Sequence, residues 1–327
     1  MDHLAVIGLH FNGHAETGMS FLRKGAGLLI EDCLVEGYGI NVALLGVEGR
    51  ISDVILRRCV IVDATSPIVG GRSQGIYAYG VDDLLVEQCV LDNNGDANIY
   101  SHDVYFDNGN TGCVLRGNII SRPGSHGAQM RSGGVAYNNL FVRCPIGLQL
   151  GGGNTPEPGG VKFKAIGNVV VEGADINDAD PRGWGDLLRN IKSGQMIRNL
   201  IAHSAKGTQL VALNINGDHK GDDGVLDHGV HAVYSEGNVI FDWPGVEVFG
   251  NTSDLVQQFD NYDLEDADYV STKKYPMPRR SVGGFDEFML EARQQSRARW
   301  RPEFTAQAVN RYLRDGFQMT GPKEGNT

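Results

Sequence analysis

A short pattern recurs along most of this chain: a cysteine or asparagine followed at once by Leu, Val or Ile. Successive copies lie between 21 and 39 residues apart, so only the connecting loops vary in length. Repeats at such spacings are typical of solenoids, in which each unit stacks on the next. The aligned residues are Cys33, Cys59, Cys89, Asn118, Asn139, Asn168, Asn199 and Asn238.

Short segments after each copy alternate apolar and polar residues with period two, which predicts β-strands and excludes helix-stacking repeats. We expect Ile76, Val104, Ala128 and Leu148 to stack inward. Asparagines at one bend of each coil can pass hydrogen bonds along the stack, and a small Cys can fill the same slot. The pattern therefore predicts an all-β fold, a right-handed parallel β-helix, with reduced cysteines.

The solenoid is predicted to occupy residues 1–262, followed at 263–327 by a linker and C-terminal amphipathic helices. The helices are expected at Phe285 to Arg299 and at Thr305 to Phe317, with Pro302 between them. They would form a cap over the last coils or along one face, or else bind a partner. The chain begins as a strand without a polar cap, so an upstream segment or an oligomer partner is expected to cover the open end.

The formal net charge is −11, which argues against nucleic acid as a ligand because a phosphate backbone needs clustered Lys and Arg. A local basic spot on an acidic surface still allows an anionic sugar. No apolar run is long enough for a membrane helix, and no signal peptide is visible at the start. Localisation stays open, with a secreted or periplasmic protein as one option.

Polar residues cluster on the outward side of four neighbouring strands. Coils of a solenoid lie about 4.8 Å apart, so residues at equivalent positions form rows across the coils. His102 and His126 occupy equivalent positions just before two of these strands, where a turn leaves their direction open. The expected rows are Tyr77, Tyr105, Gln129 and Gln149, then Tyr79, Asp107, Arg131 and Gly151.

We predict an active site on this face, with no metal ion. Each residue also has a structural interpretation: a buried imidazole pair, an ion pair between Arg131 and Asp107, a packed tyrosine stack, or a buried Trp184. The predicted catalytic residues are His102, Tyr105, His126 and Arg131. The predicted substrate-binding residues are Tyr77, Tyr79, Asp103, Asp107, Gln129 and Gln149, with Arg182 and Trp184 from an insertion at 175–185.

These residue types suit the chemistry of a uronate sugar. Removing the proton at C5 builds negative charge on the adjacent carboxylate, and the planar fork of Arg131 matches a carboxylate. An opposite charge at about 4 Å contributes about 4 kcal/mol at an effective dielectric of about 20. A histidine would take the proton and Tyr105 would protonate the leaving oxygen, or the roles would be reversed. Elimination gives a lyase, and reprotonation from the other face gives an epimerase.

No cofactor is required by this scheme. Two acidic loops, at Asp92 to Asp96 and at Asp218 to Asp223, could hold Ca²⁺ through oxygen ligands, although neither matches the EF-hand spacing. The alternative for both loops is that they are simply solvated.

The ladder and strand pattern resemble the pectate-lyase-like right-handed β-helix superfamily over residues 1–262. The stretch Ser125 to Met130 is similar to the Gly-His-Gly strand of polygalacturonase-type hydrolases. Ser101 and His102 replace the paired aspartates of those enzymes, and their Arg-Ile-Lys motif is absent, which disfavours inverting hydrolysis.

The combination of His, Tyr and Arg resembles that of alginate-type lyases and mannuronan epimerases. The resemblance implies a lyase or C5-epimerase acting on an acidic polysaccharide such as alginate or pectate. A non-catalytic glycan-binding or tailspike-like module, or a hydrolase of the same fold, remains as the alternative.

Overall fold

The structure is a computed structural model that describes residues 2–68, 70–153, 157–173, 175–204, 207–216, 218–220, 226–243, 246–249, 261–263, 284–317 and 319. Nearly all of its strands belong to three parallel sheets that the chain visits in turn. The predicted right-handed parallel β-helix with a C-terminal helical extension is thereby confirmed.

The first sheet contains nine strands: Asp2–Ile7, Gly25–Glu31, Ile51–Arg57, Val81–Glu87, Val114–Arg116, Gly134–Tyr137, Val161–Ile166, Ile191–Ile197 and Val233–Glu236. The second contains ten: His10–Asn12, Leu34–Glu36, Val60–Val62, Val90–Asp92, Ile119–Ser121, Leu140–Val142, Val169–Val171, Leu200–Ala202, Asn238–Phe241 and Asn261–Asp263. The third contains nine: Thr17–Phe21, Ile40–Leu45, Gln74–Tyr79, His102–Phe106, His126–Met130, Ile146–Gly151, Trp184–Arg189, Val211–Asn216 and Val246–Phe249.

One strand from each sheet makes a coil, and we number the coils by the order of these strands. Coil 3, for example, contains Ile51–Arg57, Val60–Val62 and Gln74–Tyr79. A separate antiparallel pair, Asp218–Lys220 with Leu226–His228, lies in the loop after the third-sheet strand of coil 8. In coil 1 the apolar side chains of Leu4, Ile7 and Leu9 are exposed; a cover for this end stays a prediction.

The bend between the first and second sheets is built from two adjacent columns. The first column adopts left-handed backbone angles, with φ between 51° and 64°, which turns the chain sharply. The second column is the predicted ladder, in which Asn118, Asn139 and Asn168 are each fully buried. The left-handed residues are Asp32, Arg58, Gln88, Gly117, Asn138, Gly167, Arg198 and Gly237.

The amides in the middle of the ladder bond to the coils on both sides. Asn139 Nδ2 donates to Asn168 Oδ1 at 3.0 Å and to the Leu115 carbonyl at 2.8 Å, and Asn139 Oδ1 accepts from Asn118 Nδ2 at 2.9 Å. The three cysteines of the column are buried free thiols, as predicted. The ladder therefore satisfies backbone groups that the bend would otherwise leave without partners.

The interior is an apolar column. Ile76, Val104, Ala128 and Leu148 stand in register on successive strands and are all fully buried, as predicted. The outward residues that follow them on the same strands stand in register as well.

Two α-helices, Phe285–Ala292 and Ala306–Gly316, follow the solenoid, with 3₁₀ turns at Arg297–Arg299 and Pro302–Phe304 between them. Their apolar residues cover the outer face of the second sheet, where Val142 and Val171 join the same buried cluster. The extension thus lies along one face, which was one of the two predicted placements. None of the described helices has the length and apolar character to cross a membrane.

The first helix differs from its prediction. It ends at Ala292 instead of Arg299. Within the helix, Leu290 is 63% exposed while Met289 is buried. The linker that was predicted before it lies almost entirely outside the described residues. The last described strand, Asn261–Asp263, crosses the predicted boundary at 262, so the division into 1–262 and 263–327 stays a prediction.

Polar contacts fix the helices in place. The Arg293 guanidinium donates to the carboxylates of Asp63 and Asp92, and Asn310 Nδ2 donates to the carbonyls of Asn138 and Asn139 at 3.0 and 3.1 Å. The second helix is therefore hydrogen-bonded directly to the backbone of the ladder bend.

Candidate functional site

The third-sheet strands of coils 3 to 6 position the predicted site. Tyr77, Tyr105, Gln129 and Gln149 stand in register on consecutive strands, which confirms the predicted row. Parallel pairing sets this row, because each strand presents the same face at the same height.

An aromatic and charged patch occupies coils 3 to 5. The rings of Tyr77 and Tyr105 stack with centroids 5.1 Å apart, and the Arg131 guanidinium carbon lies 4.9 Å from the Tyr105 centroid. Asp107 accepts from Tyr77 Oη at 3.2 Å and from Arg131 Nη1 at 3.4 Å. The ion pair left open by the sequence therefore exists, yet Arg131 Nε finds no partner in the described part of the chain. We call these four residues the tyrosine–arginine patch.

The two histidines adjoin this patch. Their rings meet edge to face with centroids 4.6 Å apart, and the ring of His102 lies 5.2 Å from that of Tyr105. Contact with Tyr105 and Gln129 places the imidazoles on the outer side of the sheet. Both side chains are nevertheless nearly covered, at 3% exposure each. The two interpretations of these histidines, a buried imidazole pair and a catalytic pair, are therefore both compatible with this geometry.

Burial determines the protonation of this cluster. It lowers the pKa of His102 to about 3, helped by the charge of Arg131, and it holds the pKa of His126 well below its usual value, helped by His102. Burial also raises the pKa of Tyr105, and that of Tyr77 to about 12 together with the Asp107 carboxylate. At neutral pH the imidazoles are therefore neutral and the phenols are protonated.

Hydrogen bonds orient His126. Its Nδ1 lies 2.9 Å from Ser125 Oγ, and its Nε2 lies 3.4 Å from Gln129 Nε2. The amide nitrogen can only donate, so Nε2 accepts and Nδ1 carries the proton. Gln129 Nε2 also donates to Gln149 Oε1 at 2.9 Å. In contrast, His102 Nδ1 has no partner among the described residues.

The position of Asp103 differs from the one that the sequence predicts. It was expected to face substrate, but its side chain is fully buried in the solenoid interior. Its Oδ1 accepts from Asn94 Nδ2 at 2.7 Å, and Asn94 Oδ1 accepts from Asn41 Nδ2 at 3.0 Å. Alternation fails here because Asp103 follows the bend, so Asp103 and Val104 both point inward. Asp103 and Asp107 therefore do not share one face of the strand.

The remaining predicted residues lie around the edge. Tyr79 is 44% exposed at the far end of its strand. Trp184 is partly buried, in register with Ile146 and thus two coils above His126, with the Arg182 guanidinium 5.8 Å from its ring. The insertion before Trp184 reaches back to coil 4, where Asn177 Nδ2 donates to the Ala97 carbonyl at 3.3 Å.

Sequence reasoning missed two residues of the site. Ser125 orients His126, as described above. Gln74 stands in register with His102, donates from Nε2 to the Tyr100 carbonyl at 2.7 Å, and keeps a buried Oε1 without a partner in the described ranges. A gapless alignment of the segment before each third-sheet strand would have found both.

The acidic loops give no metal centre in the part of the chain that the structure describes. The Asp92 carboxylate is fully buried and is bonded by Arg122 and Arg293, so it is not available as a Ca²⁺ ligand. The side chains of the predicted loop Asp218 to Asp223 lie outside the described residues.

The family model described as a right-handed beta helix region matches residues 2–170 of this sequence. The matched segment contains coils 1 to 6 and every residue of the tyrosine–arginine patch. No curated protein and no solved structure matches the chain.

Proposed function

Because the chain belongs to the family of right-handed beta helix regions, we propose that it binds an acidic polysaccharide along the third sheet and acts on its uronate residues as a lyase or C5-epimerase. The fold hosts several activities, so the proposal depends on the site. The observation that carries it is a buried, neutral imidazole pair, a protonated phenol and an arginine brought together by consecutive coils.

Each group has a role in proton abstraction. The Arg131 guanidinium, which lies over the Tyr105 ring on the outer face of the sheet, would hold the uronate carboxylate. His102 would take the C5 proton through its unpartnered Nδ1. The electron pair then forms the C4–C5 double bond as the C4–O bond breaks, and the Tyr105 hydroxyl protonates the departing oxygen. In an epimerase, a proton returns to C5 from the opposite face and no bond to oxygen breaks.

The 3% exposure of both histidines favours one other candidate, a module that binds the polysaccharide without reacting. In that case Tyr77, Tyr79 and Arg131 would hold sugar at the surface, and the imidazoles would serve as packing. Catalysis requires that substrate binding uncover the His102 edge.

Substitution of Arg131 tests the proposal. We expect Arg131→Gln to lower turnover of alginate or pectate by roughly a hundredfold to a thousandfold, because the developing carboxylate charge loses its cation. Elimination is read from the ultraviolet absorbance of the unsaturated product, and epimerisation from exchange of the C5 proton in D₂O. Arg116→Gln is the matched control, since Arg116 also pairs across coils, with Glu87, but on the first sheet.

The outcomes separate the candidates. Equal turnover by Arg131→Gln and Arg116→Gln would show that the site is wrong. Polymer binding that Arg131→Gln weakens, with neither unsaturated product nor proton exchange in the wild type, would establish the binding module instead. New reducing ends without unsaturation would indicate hydrolysis and overturn the proton-abstraction mechanism.

A further inference from the structure

A second concave surface lies on the first sheet, across coils 6 to 9 and away from the tyrosine–arginine patch. Its lining includes Lys162, Lys164, Ser193, Gln195 and Tyr234. We propose that this cleft is a separate, non-catalytic binding site for anionic carbohydrate. The proposal shares its ligand class with the proposed function but concerns a different face and different residues.

Strand register places the cleft residues side by side. Lys164 stands in register with Gln195, and Gln195 with Tyr234, so the three follow one another in coils 7, 8 and 9. Lys162 lies two residues before Lys164 on the same strand and faces the same way, about 6.6 Å along it. Its register partner in coil 8 is Ser193. Two cations, a hydroxyl, an amide and a phenol thus share one surface.

The charge pattern of the first sheet changes at this cleft. In coils 2 to 5 the outward Arg residues of one row are paired across coils: Arg57 with Glu31, and Arg116 with Glu87. Lys162 and Lys164 are both exposed, and neither has a carboxylate within ion-pair distance in the described ranges. In a chain of net charge −11, two unpaired cations lining a concavity indicate an anionic ligand.

The other lining groups favour a sugar over a simple anion. The Tyr234 ring is 56% exposed and offers an apolar face at the end of the cleft, and Val135 adds aliphatic surface beside Lys164. Ser193 and Gln195 can bond hydroxyl groups as donors or acceptors. Tyr234 Oη is bonded to Glu236 Oε2 at 2.7 Å, so the phenol is held in place. Apolar walls with a few polar groups are typical of ligand sites.

Binding measurements on the intact chain test this site. The probes are an oligogalacturonate, an oligomannuronate and a neutral malto-oligosaccharide of equal length, titrated by calorimetry at low salt. We expect the double variant Lys162→Gln/Lys164→Gln to weaken binding of the uronates by roughly tenfold, since two charge-assisted contacts are lost. Lys192→Gln is the matched control, because Lys192 is exposed on a neighbouring strand but lies outside the cleft.

An Arg131→Gln background separates this inference from the proposed function. Residual uronate binding in that background should weaken by roughly a further tenfold when Lys162 and Lys164 are also replaced, whereas turnover of short oligomers should depend on Arg131 alone. Absence of turnover in the wild type would contradict the proposed function but leave the cleft intact. The cleft proposal is overturned if the double variant binds uronates as the wild type does, if Lys192→Gln weakens binding equally, or if the neutral oligosaccharide binds equally well.

Discussion

The carboxyl group of Asp186 interrupts the apolar column inside the third sheet. Asp186 stands in register with Leu148 and Leu213 in the inward column of the third sheet, and it is 1% exposed. Neither of its oxygens has a hydrogen-bond partner among the described residues, and burial raises its pKa to about 8. Asp186 therefore holds a proton at neutral pH and behaves there as a poorly matched neutral side chain.

We predict that Asp186→Leu stabilises the protein by about 2–4 kcal/mol near pH 8, because it replaces an unpartnered carboxyl with an apolar group. Between the unfolded pKa of 3.8 and the folded pKa of about 8, the folded state keeps a proton that the unfolded state has lost. The stabilisation that this carboxyl contributes is therefore fully present below pH 3.8, and it is lost as pH rises through about 8.

Urea unfolding at pH 5 and pH 8 measures the effect, and the gain from Asp186→Leu should be larger at pH 8. Asp186→Asn is the control: it removes the titration but keeps a polar group, so the pH dependence should disappear with a smaller gain. An equal gain at both pH values would contradict this account of the carboxyl.

At the scale of the structural element, the asparagine ladder could be predicted from the sequence because its cause is local. A sharp bend leaves backbone groups without partners, and only a few side chains satisfy them. The end of the first helix could not be predicted in the same way. The chain turns after Ala292, where Gln295 bonds through its side chain to the backbone of Arg301 and Phe304, and these contacts exist only in the folded protein.

The ladder should tolerate change at its end better than in its middle. Asn168 donates to the Ala136 carbonyl and to Asn199, and accepts twice from Asn139. We expect Asn168→Ala to cost about 2–4 kcal/mol, since several buried groups lose partners together. Asn118 adjoins the cysteine part of the column, so Asn118→Cys should cost about 1–2 kcal/mol. Guanidinium unfolding midpoints measure both, and equal losses would contradict a continuous ladder.

The candidate site also combines features that the sequence predicts with features that depend on the folded structure. Register followed from the repeat, so the row of Tyr77, Tyr105, Gln129 and Gln149 was predicted correctly. The inward turn of Asp103 was not, because alternation fails beside a bend. The burial of His102 and His126 was one of two predicted interpretations, and the sequence could not decide between them because the turn before each strand leaves the direction of the side chain open.

At the scale of the whole molecule, each strand of the three parallel sheets pairs with strands of the adjacent coils, so stability is shared along the stack. Coils 2 to 6 contain one cysteine each, and all five are buried free thiols. Burial raises the pKa of Cys113 to about 11 and that of Cys144 well above its usual value. Thiols of this kind react slowly, because the thiolate is the nucleophile.

We therefore predict that an alkylating reagent leaves all five cysteines unmodified in the native protein. With rising urea, Cys33 should be modified first, because it lies next to coil 1, whose outer side chains are exposed. Mass spectrometry of peptides after timed alkylation gives the order, and added reductant should not change it. Simultaneous modification of all five would instead show that the solenoid unfolds as one unit.

The shortest winding in this stack, from Asn118 to Asn139, has consequences for how such a protein can vary. Twenty-one residues suffice to close one turn and return the chain to the same bend. Duplicating that stretch would lengthen every face by a single rung of about 4.8 Å. The length of the surface that the third sheet presents could thus be extended in discrete steps by gene duplication.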